Sequence, residues 1–167
     1  MKMRFLCMVA AVSLLAACSS DQPKTADNTA TAQQTAPTPP AKTAPSGPVK
    51  GSQEDFVQNV GDRVFFDYDK SSLKQEGKDQ LTKWVAFLKQ YPNDQLTVEG
   101  HADERGTREY NLALGEKRAS AVKEFLVANG VAAARLKTVS YGKERPAVLG
   151  SNDAAYAQNR RGVGVIQ

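Results

Sequence analysis

The sequence predicts an α+β domain: a mixed sheet of about four strands with two long helices packed on one face, in the order β-α-β-α-β-α-β. Three observations predict it. Two long stretches, 72–90 and 107–129, repeat apolar residues at helical spacing. Short β-branched or aromatic runs at 63–67, 95–99, 135–140 and 161–166 read as strands around them. Strands and helices that alternate in this way bury both helices against one sheet.

Each element has a local reason. Ser52-Gln-Glu-Asp55 carries a capping pattern and opens a short helix that ends near Gly61. Arg63-Val-Phe-Phe-Asp67 is the first strand, and Tyr68 to Ser72 turns the chain. In the first long helix Leu73, Leu81, Trp84, Val85, Leu88 and Tyr91 recur on one side, and Pro92 marks its end. Trp84 on that spacing is a core residue. Leu96 and Val98 share one face of the second strand. The second long helix buries Leu112, Gly115, Ala119, Val122 and Leu126 and stops at Gly130. Gly115 costs helix stability of order 1 kcal/mol relative to Ala, so the expectation there is close approach of another element. A short helix over Asn152–Gln158 precedes the last strand. No internal repeat is visible.

The sequence ahead of this domain divides in two. Residues 1–17 read as a signal peptide: Lys2 and Arg4 precede an apolar run, Phe5–Leu15, too short to span a bilayer. A secretory cut near Ala17 would leave Cys18 free. Leu15-Ala-Ala-Cys18 resembles a bacterial lipobox, which makes Cys18 the lipidation site instead. Several acyl chains give a stable anchor where one is marginal. Ser19 stands where Asp would resemble an inner-membrane retention signal, so the outer membrane is the expected destination. Residues 18–52 hold that cysteine and a stretch rich in Ala, Thr, Pro, Gln and Ser, with too little apolar surface to fold. It reads either as an inert tail or as a flexible tether, which would reach roughly 30–35 Å on average. The domain proper is 53–167.

Composition excludes several classes of function. The net charge of +4 owes two charges to Lys2 and Arg4 and one to residues 21–50, leaving +1 from Gly51 onward. That is no footprint for DNA or RNA. The only cysteines are Cys7 and Cys18, so the domain has no disulfide and no thiolate metal site. With one histidine, a zinc site would need mostly carboxylates, and no metal or cofactor is expected.

The chemistry concentrates in Glu99-Gly-His-Ala-Asp-Glu-Arg-Gly-Thr107, expected to begin as a strand, break at Gly100 and Gly106, and restart as the second long helix. Asp103 reads on its own as a turn or capping acid, and Arg118 as part of a solvated helix face. Arg118 lies about eleven residues into the helix, roughly 16 Å along its axis, so spacing alone does not bring the two together. His101 and Asp103 do not make a catalytic dyad by motif, because no serine or cysteine nucleophile is placed beside them, and the protein is not expected to be an enzyme.

That stretch, with Tyr110-Asn-Leu-Ala-Leu-Gly-Glu-Lys-Arg-Ala119, Val139-Ser-Tyr-Gly-Lys-Glu-Arg-Pro-Ala-Val-Leu-Gly150 and Asn159-Arg-Arg161, resembles the OmpA-like carboxy-terminal domain family, and within it the peptidoglycan-associated lipoproteins of Gram-negative bacteria. The resemblance covers Val64 to Ile166 and agrees with the lipobox. It implies noncovalent binding of peptidoglycan stem peptides through meso-diaminopimelate. It also implies partnership with the periplasmic propeller protein of the Tol system and a role in tethering the outer membrane to the wall and in constriction at division. By motif position, Asp103 matches the acid that takes the diaminopimelate ammonium, and Arg118 the arginine that takes its carboxylate. Tyr68, Asp69, Asn111 and Leu114 match other pocket-lining positions. Tyr68 departs from the usual Phe, and Arg108 sits where relatives often differ. Glu99, His101, Glu104 and Arg105 are assigned to the partner surface. The alternative is a protein-interaction hub whose wall binding is incidental.

Overall fold

In the computed structural model, residues 47–167 are described. The leader, Cys18 and most of the linker lie outside the described residues. The elements are α1 (Gln53–Asp55, continued by a π-helical turn, Phe56–Val60), β1 (Arg63–Phe65), α2 (Gln75–Gln90), β2 (Leu96–His101), α3 (Arg108–Ala128), β3 (Leu136–Gly142), α4 (Asp153–Asn159) and β4 (Arg161–Ile166). The sheet order is β1-β4-β2-β3. β2 and β3 run parallel, and β4 lies antiparallel between β1 and β2. The mixed four-stranded sheet and its two long helices are as the sequence predicts, with α1 and α4 as shorter additions.

The caps explain two of the starts. Ser52 accepts a hydrogen bond from the Asp55 N–H at 3.2 Å, and Thr107 accepts one from the Tyr110 N–H at 3.2 Å. α2 begins at Gln75, three residues later than the sequence suggests. Its first flanking residue, Lys74, is extended and offers no side-chain cap, so nothing holds an earlier turn. β2 does not break at Gly100; it runs on to His101, and the pairing with β3 shifts register between those two residues. Among the described residues no helix is long and apolar enough to cross a membrane.

The core lies between the helices and one face of the sheet. Phe56, Trp84, Phe87, Leu88, Leu96, Val98, Val122 and Leu126 are its main members. Gly115 is the close approach expected from the sequence. A Cβ there would stand 2.8 Å from the Gly100 carbonyl oxygen and would also strike Ser140. α3 therefore sits directly on the end of β2, which sets the position of everything projecting from its first three turns.

Candidate functional site

The cleft forms where three segments meet: the β1–α2 turn, the loop after β2, and the first turns of α3. Asn111, Leu114 and Arg118 stand at i, i+3 and i+7 on α3, so they share one face. Asp69 has a positive φ of 55°, a conformation Asp tolerates better than most residues, and this turn brings it to the rim. The hollow has a volume of about 150 Å³. Tyr68, Asp69, Asp103, Asn111, Leu114 and Arg118, all six residues matched by motif, line it, together with Arg105, Gly106 and Tyr110.

Arg118 reaches the cleft although it starts far along the helix. Helical side chains lean toward the N-terminus, and Arg is long enough to cover the remaining distance. Its guanidinium is fully buried. Nε donates to the Lys70 carbonyl at 2.9 Å, Nη1 to the His101 carbonyl at 2.8 Å, and Nη2 to the Asp67 carbonyl at 3.0 Å. Three of its five N–H groups are thus committed to backbone, and two are left for a ligand. Burial pushes its pKa down to about 10, against the opposing pull of Asp103, so it stays charged at neutral pH.

Asp103 is 4% exposed and lies four residues ahead of the Thr107 cap rather than in the first helical turn. Burial alone would raise its pKa, but hydrogen bonds from the Arg105 side chain and backbone outweigh that and hold it below the usual carboxylate value. Arg105 meets it as a fork, Nη2 to Oδ2 at 2.7 Å and Nε to Oδ1 at 3.3 Å, and the Arg105 N–H adds a third bond at 3.1 Å. Arg160 stands 3.4 Å away on the other side. The Arg105 guanidinium lies between two aromatic faces, 4.0 Å from the Tyr68 ring centre and 4.4 Å from that of Tyr156. Tyr110 donates its hydroxyl proton to Asp69.

The four residues assigned to a partner surface separate into a Glu99–His101 contact at 3.5 Å on the sheet and Glu104 and Arg105 in the loop after it. Glu104 is exposed and accepts from the Tyr156 hydroxyl at 2.9 Å. Glu99 is half-buried on the sheet face away from the helices. Arg105 belongs to the cleft. His101 is only 2% exposed, with Nε2 3.5 Å from the Glu99 carboxylate, so its assignment to an accessible surface is corrected. The strand continues through it, and alternation turns its ring to the open sheet face beneath Tyr141. Sequence reasoning missed Tyr110 in the cleft and Arg160 beside Asp103, and it placed Arg105 on the partner surface instead. Arg105 stands two residues after Asp103 and Tyr110 one turn before Leu114, so spacing offered a signal for both. Arg160 lay within the Asn159-Arg-Arg161 run that carries the resemblance, but no role was assigned to it.

The OmpA family model matches residues 65–160. The peptidoglycan-associated lipoprotein of Haemophilus influenzae is 42% identical over 95% of this chain and 94% of its own length. That of Agrobacterium fabrum is 53% identical over 70% of this chain, an overlap that spans 66% of the relative. The crystal structure of the peptidoglycan-associated lipoprotein from Burkholderia pseudomallei superposes with a TM-score of 0.63 at 40% identity, covering 66% of this chain and 98% of that one. On these matches the chain belongs to the OmpA family, in its branch of peptidoglycan-associated lipoproteins.

Proposed function

We propose that this protein is an outer-membrane lipoprotein whose periplasmic domain binds peptidoglycan noncovalently through the amino-acid head of diaminopimelate, and so ties the membrane to the wall. The observation that carries the proposal is the pairing in one small cleft of a buried acid, Asp103, with a buried arginine, Arg118, that keeps two N–H groups uncommitted. An ammonium and a carboxylate on one carbon need such a pair. The ligand ammonium joins Arg105 and Arg160 around Asp103, and the ligand carboxylate takes the free donors of Arg118. Each charge-assisted bond contributes roughly 1.5–3 kcal/mol net. His101 is sequestered from the cleft, which favours a binding module over a hydrolase.

The entry point of the chain supports the tethering role. Gln53 accepts from the Ile166 N–H at 2.7 Å, and Ile166 pairs with Leu96 at the start of β2. The cleft lies past the end of β2, five residues and about 17 Å away along the strand. The described chain therefore enters the domain at the end of the sheet opposite the cleft.

The ridge 102–106 supports a protein partner such as the Tol-system propeller. Asp103 and Arg105 face the cleft, while Ala102 and Glu104 face a second hollow of about 170 Å³ with Lys143, Pro146, Val148 and Leu149. Leu149 is 87% exposed there. A partner that grips this ridge touches both sides of it, so wall and partner exclude one another.

Co-sedimentation of residues 47–167 with diaminopimelate-type sacculi is the direct test. Asp103→Asn and Arg118→Lys abolish binding, while Glu124→Gln on the far side of α3 does not. Wild-type sedimentation of both cleft variants would remove the site assignment.

A further inference from the structure

The order β1-β4-β2-β3 leaves two strands with a free side. Exposed edges invite pairing with other chains, and proteins blunt them with short strands, proline or charge. β1 follows that rule: it has three residues and begins with the exposed Arg63. β3 does not. It runs for seven residues, Leu136-Lys-Thr-Val-Ser-Tyr-Gly142, with no proline and one charge. Val139 at its centre is 37% exposed. Beside this edge lies an apolar groove of about 490 Å³, lined by Ser120, Lys123, Glu124, Val127, Ala128 and Thr138.

We propose that the free edge of β3 pairs antiparallel with β3 of a second copy, about a two-fold axis through Val139, joining two four-stranded sheets into one. The strand is self-complementary in this register. Full-length overlap places Val139 against its own copy, Thr138 against Ser140, Lys137 against Tyr141 and Leu136 against Gly142. β-branched and Thr–Ser pairs are favourable across antiparallel strands, and the single charge never meets itself. Centring the pair on Lys137 would oppose two lysines, and centring it on Thr138 would leave Tyr141 and Gly142 unpaired. On the helix side, Lys123 and Glu124 set one charge of each sign beside the groove. A second copy fits this edge because no other sequence need be invoked to match it.

The test uses residues 47–167, which hold no cysteine because both lie ahead of them. This part folds alone, since the Burkholderia structure matches it over 98% of its own chain. Light scattering over a concentration series shows the mass doubling. Val139→Cys oxidises to an intermolecular disulfide well above the yield of Thr82→Cys on the exposed face of α2, since facing Cα atoms at about 4.5–5.5 Å lie within disulfide range. Val139→Lys and Val139→Glu each run as monomers with unchanged melting, and mixing the two restores the doubled mass. A wild type that stays monomeric throughout, a Val139→Cys yield no higher than the control, or a dimer that survives both charge variants overturns the proposal. A monomer that gains a fifth strand only from a different protein overturns it equally.

Discussion

The two halves of the helical layer meet the sheet by different means. Under α2 the contact is bulk. Phe56 packs against Trp84 and Phe87 at ring-centre distances of 5.3 and 5.0 Å, and the Trp84 indole N–H donates to the Gly61 carbonyl at 2.7 Å. Gly164 of β4 leaves the room these rings need; a Cβ there would stand 2.9 Å from Trp84. Under α3 the contact is backbone on backbone, Gly115 on Gly100, with Ser140 donating to the Leu112 carbonyl at 2.6 Å. The first half buries apolar area and supplies stability. The second also buries Ala119, Val122 and Leu126, but at Gly115 it fixes a height: Asn111, Leu114 and Arg118 reach the cleft because α3 rides low on β2. Stability and site geometry are therefore separable in this fold.

Damage to each half makes the separation measurable. Trp84→Ala strips the α2 half and costs about 3–5 kcal/mol in chemical denaturation. The fraction still folded binds sacculi as wild type does.

The α3 half carries the next largest effect, a dependence on pH. Burial, with Arg161, Arg145 and Arg63 nearby, lowers the pKa of His101 to about 4. The unfolded chain then takes up a proton at higher pH than the folded one. Stability from this source is complete above about pH 6.5 and is lost as the pH falls toward 4, by on the order of 3 kcal/mol. Denaturation midpoints measured from pH 7 down to 4 follow that slope, His101→Gln flattens it, and Trp84→Ala leaves it intact.

Gly115→Ala lifts α3 off β2. Overpacking of this kind costs about 1–3 kcal/mol. Its signature is disproportionate: wall binding falls further than the folded fraction does, since the helix carries three cleft residues with it. A variant that binds in proportion to its folded fraction would merge the two halves into one. The smallest effect belongs to the rim. Tyr68→Phe keeps the ring over Arg105 and shifts stability by no more than about 0.5 kcal/mol, as exposed substitutions do, with sacculus affinity close to wild type.

How much was legible follows the same division. The α2 half could be read as a pattern, because Leu81, Trp84, Val85 and Leu88 are periodic along one helix and periodicity is local. Gly115 was legible as an anomaly, a residue too costly for a helix unless something approached it. Asn111, Leu114 and Arg118 were named through the resemblance alone, although their spacing sets them on one helix face. His101 was misplaced because Gly100 looked like the end of a strand. In the structure the register shift absorbs that irregularity, and the strand carries the histidine into the buried part of the sheet. The contact of Arg160 with Asp103 was not legible, since it comes from across 57 residues of chain.

By itself the sequence determined the order and kind of the elements, the apolar faces that bury them, and the near-neutral charge of the domain. Those properties belong to neighbouring residues and survive without knowledge of the fold. Only the tertiary structure decided that Arg118 spends three donors on the carbonyls of Asp67, Lys70 and His101, and that Asp103 is already held by Arg105. Which carbonyls lie within reach of a guanidinium depends on how closely separate segments approach, and two facing glycines set that distance.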